Sequence, residues 1–217
     1  MRDKALVVMM RAPEPGSVKT RLVPPLTHEG AATLYEAFLS DIFNRLGRIG
    51  WADIHVVYTP ETARQRAAMI VPPSMECFPQ AGSDLGERMY NAFENLLGRG
   101  YKRVVMIGSD SPDMPIGRIK EAFSALKGGT DVVFGPALDG GYYLIGLKRP
   151  TRLPFEGVAW STATVLSDTL EKIKGALSFK LIKPWHDIDT VEDLKLLKKR
   201  SAPRTFEASL RLGLVEG

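Results

Sequence analysis

Four segments of the sequence combine residue types able to handle a charged ligand, and each follows an apolar run. In Gly108-Ser-Asp-Ser-Pro-Asp-Met-Pro115, Asp110 falls where a strand would end, with Asp113 close behind. A carboxylate there can hold Mg²⁺ or Mn²⁺, hard cations that take one or two carboxylates together with substrate phosphates. The plainer alternative is that Ser109, Asp110 and Asp113 cap the next helix and shape the turn. In Arg11-Ala-Pro-Glu-Pro-Gly-Ser-Val-Lys-Thr-Arg21, Gly16 lets the backbone approach a ligand, while Lys19 and Arg21 supply cationic donors. This loop, with Arg11 at its head, is neither a P-loop nor a Gly-x-Gly-x-x-Gly fingerprint.

In Gly135-Pro-Ala-Leu-Asp-Gly-Gly-Tyr-Tyr143, Gly140 and Gly141 could admit a substrate against the backbone. Asp139 could bind an acceptor hydroxyl or act as a base, or simply make an Asp-Gly hairpin turn. In Pro184-Trp-His-Asp-Ile-Asp-Thr190, Asp187 and Asp189 are two apart, so in an extended chain they point the same way. Either could complete a cation site with Asp110, or Asp189 or Thr190 could cap the last helix. Gln80-Ala-Gly-Ser-Asp-Leu-Gly-Glu-Arg88 contains Gly82 and leads into a helix N-terminus, a natural anion site. Arg88 in that first turn opposes the helix dipole, which hints at ligand contact. Ser161 or Thr162 reads as an N-cap, and Trp160 beside them could wall a pocket.

The elements between these segments are legible as alternating strands and helices. Ala5 to Met10, Asp53 to Tyr58, Met75 to Gln80, Arg103 to Gly108, Asp131 to Phe134, Tyr142 to Leu147 and Ser178 to Ile182 read as strands. Helices are predicted behind Thr27, over Glu61 to Ile70, behind Asp84, and over Ile116 to Leu126, Thr162 to Ile173 and Val191 to Lys199. The alternation predicts an α/β fold: a three-layer α/β/α sandwich on a mostly parallel sheet. Two strands follow each other directly between Asp131 and Leu147, so one antiparallel strand is expected there. Ligands of such sheets bind beyond the carboxyl ends of the strands, where the four segments fall.

At 217 residues the chain is expected to form one domain spanning 1–217. Its 44% hydrophobic and 25% charged residues exclude wholesale disorder. The 29 basic and 25 acidic side chains give a net charge of +4, which suits an anionic small ligand and falls short of a nucleic-acid-binding argument. A single cysteine, Cys77, excludes an internal disulfide, and three scattered histidines argue against a multi-histidine metal site. No apolar run approaches the roughly 20 residues of a membrane span, and a cytoplasmic location is expected. A homodimer is admissible, with Trp51 or Trp185 available to face a partner, although single aromatics do not argue for one.

Taken together and in order, the segments resemble the GT-A-type nucleotide-diphospho-sugar transferase superfamily, in particular its radical-SAM/selenodomain-associated transferase branch. The resemblance rests on Arg11 to Leu22, Gly82 to Met89, Gly108 to Pro115, Asp139 to Tyr143 and Asp187-Ile-Asp-Thr-Val-Glu-Asp-Leu194. Related segments occur in small nucleotidyltransferases that build molybdenum cofactor dinucleotides, phospholactate-guanosine diphosphate and CMP-sugars. The resemblance implies a divalent metal, Mg²⁺ or Mn²⁺, on Asp110 with Asp189 as a second ligand. It also implies that Gly16, Lys19 and Arg21 cradle nucleotide phosphates. This chain departs from the Leu-Ala-Gly-Gly-x-Ser-x-Arg-Met loop usual in the nucleotidyltransferases, having Arg-Ala-Pro-Glu-Pro-Gly instead.

The expected activity is a metal-dependent transfer from a nucleotide donor to a small acceptor. Either an NTP is attacked at its α-phosphorus or an NDP-sugar at its anomeric carbon. Lys19, Asp110 and Asp139 are the expected catalytic residues. Arg11, Gly16, Lys19, Arg21, Gly82, Arg88, Gly140, Gly141 and Trp160 are the expected nucleotide and substrate contacts. A non-catalytic nucleotide-binding protein of the same fold is the alternative. A dehalogenase-like phosphohydrolase lacks its Asp-x-Asp after the first strand, and a SAM methyltransferase lacks its glycine-rich turn there.

Overall fold

The computed structural model describes residues 3–216. A seven-stranded sheet runs in the order β3-β2-β1-β4-β6-β5-β7. Its strands are β1 (Lys4–Arg11), β2 (Asp53–Thr59), β3 (Glu76–Pro79), β4 (Arg103–Ile107), β5 (Val132–Pro136), β6 (Tyr142–Leu147) and β7 (Phe179–Leu181). All neighbouring pairs are parallel except those of β6, which runs antiparallel to both β4 and β5. The one reversed strand is therefore the second of the two that follow each other directly, reached through a tight turn.

Continuous apolar runs make the central strands because both faces are covered. Alternate residues of β1 divide accordingly: Leu6, Val8 and Met10 enter one core, Ala5 and Val7 the other. The first core is closed by α1 (His28–Leu46), α2 (Arg64–Ile70) and α4 (Ile116–Lys127). The second is closed by α3 (Leu85–Gly98) and α5 (Val165–Ile173). Phe93 of α3 is fully buried there, a contribution of about 2–3 kcal/mol. Among the described residues no helix is long and apolar enough to cross a membrane.

The caps follow the sequence where a short polar side chain precedes an apolar-periodic run. Thr27 accepts from the Gly30 N–H, and Asp84 accepts from the Glu87 N–H. The return arm of the second cap differs from a standard capping box: Glu87 takes the N–H and hydroxyl of Ser83.

Three expectations need correction. The predicted helix over Val191 to Lys199 is only one turn, α6 (Val191–Leu194), and the chain is bent beyond it. A further helix with no predicted counterpart, α7 (Pro203–Arg211), then packs on α1. Its cap comes from the other helix: buried Asp41 of α1 accepts from the N–H groups of Arg204 and Thr205. Third, neither Ser161 nor Thr162 caps α5, which starts later, behind Thr164. Ser161 lies at φ +66° and the Thr162 hydroxyl donates to the Ala159 carbonyl, because this stretch is folded over Gly140.

Trp185 is buried in the first core and half-buried Trp51 packs against Phe123, so both proposed interface aromatics are used within the chain. Burial pushes the Cys77 thiol up to about 11.

Candidate functional site

The carboxyl ends of β1 and β4 lie side by side, and three tethers fix what projects beyond them. The Tyr35 hydroxyl on α1 hydrogen-bonds the Ser109 hydroxyl at 2.6 Å and accepts from the Arg11 N–H at 3.3 Å. The Ile188 N–H donates to the Asp110 carbonyl at 2.9 Å. The Trp185 N–H donates to the Pro136 carbonyl at 3.0 Å, which sets the segment after β7 against the end of β5. These tethers bring Asp110, Asp189 and the loop bearing Lys19 to one place.

Lys19 is the centre of that place. Its ammonium lies 2.5 Å from Asp110 Oδ1 and 3.0 Å from Asp189 Oδ1, and donates to the Ile188 carbonyl at 2.6 Å. Its side chain is 3% exposed, against 45% for Asp110 and 34% for Asp189. The lysine backbone is left-handed, at φ 47° and ψ 39°, a conformation that costs a non-glycine residue about 1–2 kcal/mol. Burial works against the charge, yet Asp110 and then Asp189 outweigh it and hold the ammonium above its ordinary pKa. Arg21 reaches Asp189 Oδ2 at 3.4 Å from the exposed side.

Asp187 is placed differently from its neighbour two residues on. Ser111 donates to both the His186 carbonyl and Asp187 Oδ1. Burial first, and the Asp110 charge next, push the Asp187 carboxyl up to about 7. Asp113, expected to cap the next helix or shape the turn, does not cap α4, which starts behind Pro115 with no side-chain cap. It is fully buried and accepts from the Trp185 indole at 3.2 Å and the Lys198 N–H at 3.1 Å.

A cleft of about 790 Å³ opens in front of this cluster. Lys19, Asp110 and Asp189 share its lining with Arg11, Arg21, Arg88, Asp139, Gly141 and Trp160. Met9, Met106, Met89 and Tyr142 form an apolar part of the wall. The two outer arginines are already anchored: Arg11 donates to the Ser17 carbonyl at 3.1 Å and Arg88 to the Gly82 carbonyl at 3.0 Å. Asp139 makes the turn reading real, since Oδ1 accepts from the Gly141 N–H at 2.9 Å.

Gly16, Gly82 and Gly140 stand outside this lining and shape the loops that form it. At Gly140, with φ +92°, a Cβ would meet the Ala163 carbonyl oxygen at 1.9 Å; at Gly82, with φ +138°, it would meet Glu87 Cβ at 2.7 Å. The sequence reading passed over two cleft residues, Tyr35 and Gln80. Tyr35 falls on the buried apolar face of α1, where its hydroxyl gives no sequence signal. The Gln80 amide donates to the Met10 and Val57 carbonyls, partners that no local spacing announces.

Among the described residues, no group of three or more His, Cys, Asp and Glu side chains is arranged to hold a metal ion. The arrangement offers instead a buried ammonium, exposed guanidinium groups and two partly exposed carboxylates at the mouth of a half-apolar cleft. It is suited to a ligand with a phosphate chain and an apolar or planar portion.

The profile of DUF2064, described as an uncharacterized protein conserved in bacteria, matches residues 42–162. Among solved structures, a Desulfovibrio desulfuricans G20 protein, provisionally named a nucleotide-diphospho-sugar transferase, is 35% identical. That match covers 98% of this chain and 97% of the other at a TM-score of 0.88. CMP:2-keto-3-deoxy-manno-octonic acid synthetase, complexed with CTP, is 8% identical over 94% of this chain and 99% of its own, at a TM-score of 0.58. Rv0371c from Mycobacterium tuberculosis H37Rv, in complex with manganese, is 13% identical over 95% and 98%, at a TM-score of 0.53. The last two likenesses are of fold. No protein of curated function matches the sequence.

Proposed function

We propose a nucleotide-dependent transferase, starting from the fact that the chain belongs to DUF2064, a family of uncharacterized proteins conserved in bacteria. Its structural neighbours are nucleotide-diphospho-sugar transferases and cytidylyltransferases, which supports a transferase that uses a nucleotide. Within that range we place the chain in the radical-SAM/selenodomain-associated branch, on the five segments that carry the resemblance. The observation that carries the functional reading is the convergence of Lys19, Asp110 and Asp189 at the strand ends, at the mouth of the cleft.

In this reading Lys19 and Arg21 hold the donor's phosphates, with Arg11 and Arg88 flanking them. Their contribution is positioning and charge neutralisation, which dominate phosphoryl and glycosyl transfer. Asp139 and the backbone at Gly141 orient a small acceptor, which attacks either the α-phosphorus of an NTP or the anomeric carbon of an NDP-sugar. Trp160 and the methionine-lined wall receive the apolar part of the ligand.

Mg²⁺ or Mn²⁺ belongs to the same proposal. The donor set fits: Asp110 and Asp189 direct hard carboxylate oxygens at a single point, and a cation, the Lys19 ammonium, is what they hold there. The manganese of the Rv0371c complex adds support. A bound divalent ion would supply charge neutralisation on the leaving diphosphate.

Calorimetric binding of GTP, CTP, UTP, ATP and several NDP-sugars, with and without Mg²⁺ or Mn²⁺, tests the reading. One nucleotide is expected to bind, and Lys19→Ala is expected to weaken it about 10- to 100-fold, the loss of a charge-assisted contact to phosphate. Binding without turnover for every acceptor tried would point to the non-catalytic alternative. No binding by any nucleotide would sink the proposal.

A further inference from the structure

Lys19 is more completely engaged than a residue waiting for phosphate has to be. An ammonium has three donor hydrogens, and three acceptors lie around this one: Asp110 Oδ1, Asp189 Oδ1 and the Ile188 carbonyl. The Phe38 ring lies 5.2 Å from it, and almost none of the side chain reaches solvent. A left-handed backbone at a non-glycine residue keeps it there. The position between the two carboxylates is thus occupied by the protein's own cation.

Charge decides what can join it. Asp110, Asp189, the Lys19 ammonium and the Arg21 guanidinium on Asp189 sum to zero. A divalent ion entering beside the ammonium would leave the cluster at +2 and set two cations against each other at short range. A phosphate chain changes both terms. It offers Lys19 alternative anionic partners, and its own negative charge then requires more cation than Lys19 alone provides.

Resting on the reading of the cleft as a nucleotide-phosphate site, we propose that Lys19 is a resident counter-ion that reserves the Asp110–Asp189 pair, so that a divalent ion enters only once a phosphate chain has drawn the ammonium away. The consequence is order. Metal binding depends on prior or simultaneous binding of the donor, and the phosphate-free protein does not load metal.

The test is Mn²⁺ alone, titrated into the full-length protein without nucleotide and followed by the paramagnetic resonance of the free aquo ion. Wild type, Lys19→Met and the double variant Lys19→Met/Asp110→Asn are compared. Lys19→Met is expected to bind one Mn²⁺ at least tenfold more tightly than wild type, and the double variant to return to the wild-type level. Equal affinity of wild type and Lys19→Met, or no gain in Lys19→Met, overturns the inference. A second measurement on wild type covers the case in which Lys19→Met fails to fold. With inorganic tripolyphosphate present, Mn²⁺ uptake is expected to exceed the sum taken up by protein and tripolyphosphate separately, and simple additivity overturns the inference. The Mn²⁺-only comparison needs no nucleotide, so the two failures are distinguishable. Failure of the nucleotide panel removes the transferase reading and with it the nucleotide as the displacing ligand, whereas equal Mn²⁺ affinities beside intact nucleotide binding remove the Lys19 inference alone.

Discussion

Asp113 sits with no exposure beneath the site, between a tryptophan 72 positions away and a backbone N–H 85 positions away. Removing the carboxylate strands the buried Trp185 indole N–H and takes a partner from the Lys198 N–H and from His186, whose Nε2 lies 3.5 Å from it. Asp113→Ala is expected to destabilise the fold by about 2–3 kcal/mol, measured as a lower midpoint of urea unfolding. An unchanged midpoint would show that neither contact matters to the fold. The sequence made this residue visible as part of an acidic loop and misjudged its task, because both partners come from the far end of the chain. The same loop shows what local sequence does convey. Asp110 stands one residue past Ser109 at the end of a strongly apolar strand, and the rule that ligands gather at carboxyl ends located it. The pairing of Lys19 with Asp110 and Asp189 was not legible. Each was singled out for a ligand, and their mutual ion pairs depend on tertiary placement.

At the level of elements, continuous apolar runs and short polar caps made the strands and most helices readable. The lapse at α7 has a physical reason. Its buried positions are Thr205 and Ser209, polar side chains that a reading of apolar spacing passes by, and only partly buried Ala208 adds an apolar contact from within it to the first core. Only Pro203 in the first turn marked its start. The edge strand β7 carries a prediction of its own. Asp131, just before β5, accepts from the N–H and hydroxyl of Ser178, just before β7. Those two bonds, and then Lys148, hold the Asp131 carboxyl near 2, below its ordinary 3.8. A depressed folded-state pKa contributes stability that is fully present above the unfolded value and is lost as pH falls through the folded one. The stability difference between wild type and Asp131→Asn is therefore expected to be constant above about pH 5 and to shrink between about pH 4 and pH 2. Urea unfolding across that range measures it, and a difference that ignores pH would exclude this role for the carboxylate.

For the molecule as a whole, the site and the fold are held by the same contacts. A ligand that binds only the folded chain adds RT ln(1 + [L]/Kd) to its stability, about 2.7 kcal/mol at a hundredfold excess over Kd. The nucleotide selected by calorimetry is expected to raise the melting temperature with that concentration dependence, and a flat response would mean that the binding seen does not require the native site. Lys19 and Asp189 meet across 170 positions of sequence. A ribosome making this protein therefore lays down the loop of the lysine 170 residues before its partner. Occupancy of the cleft thus requires that both segments have been made and have folded against each other.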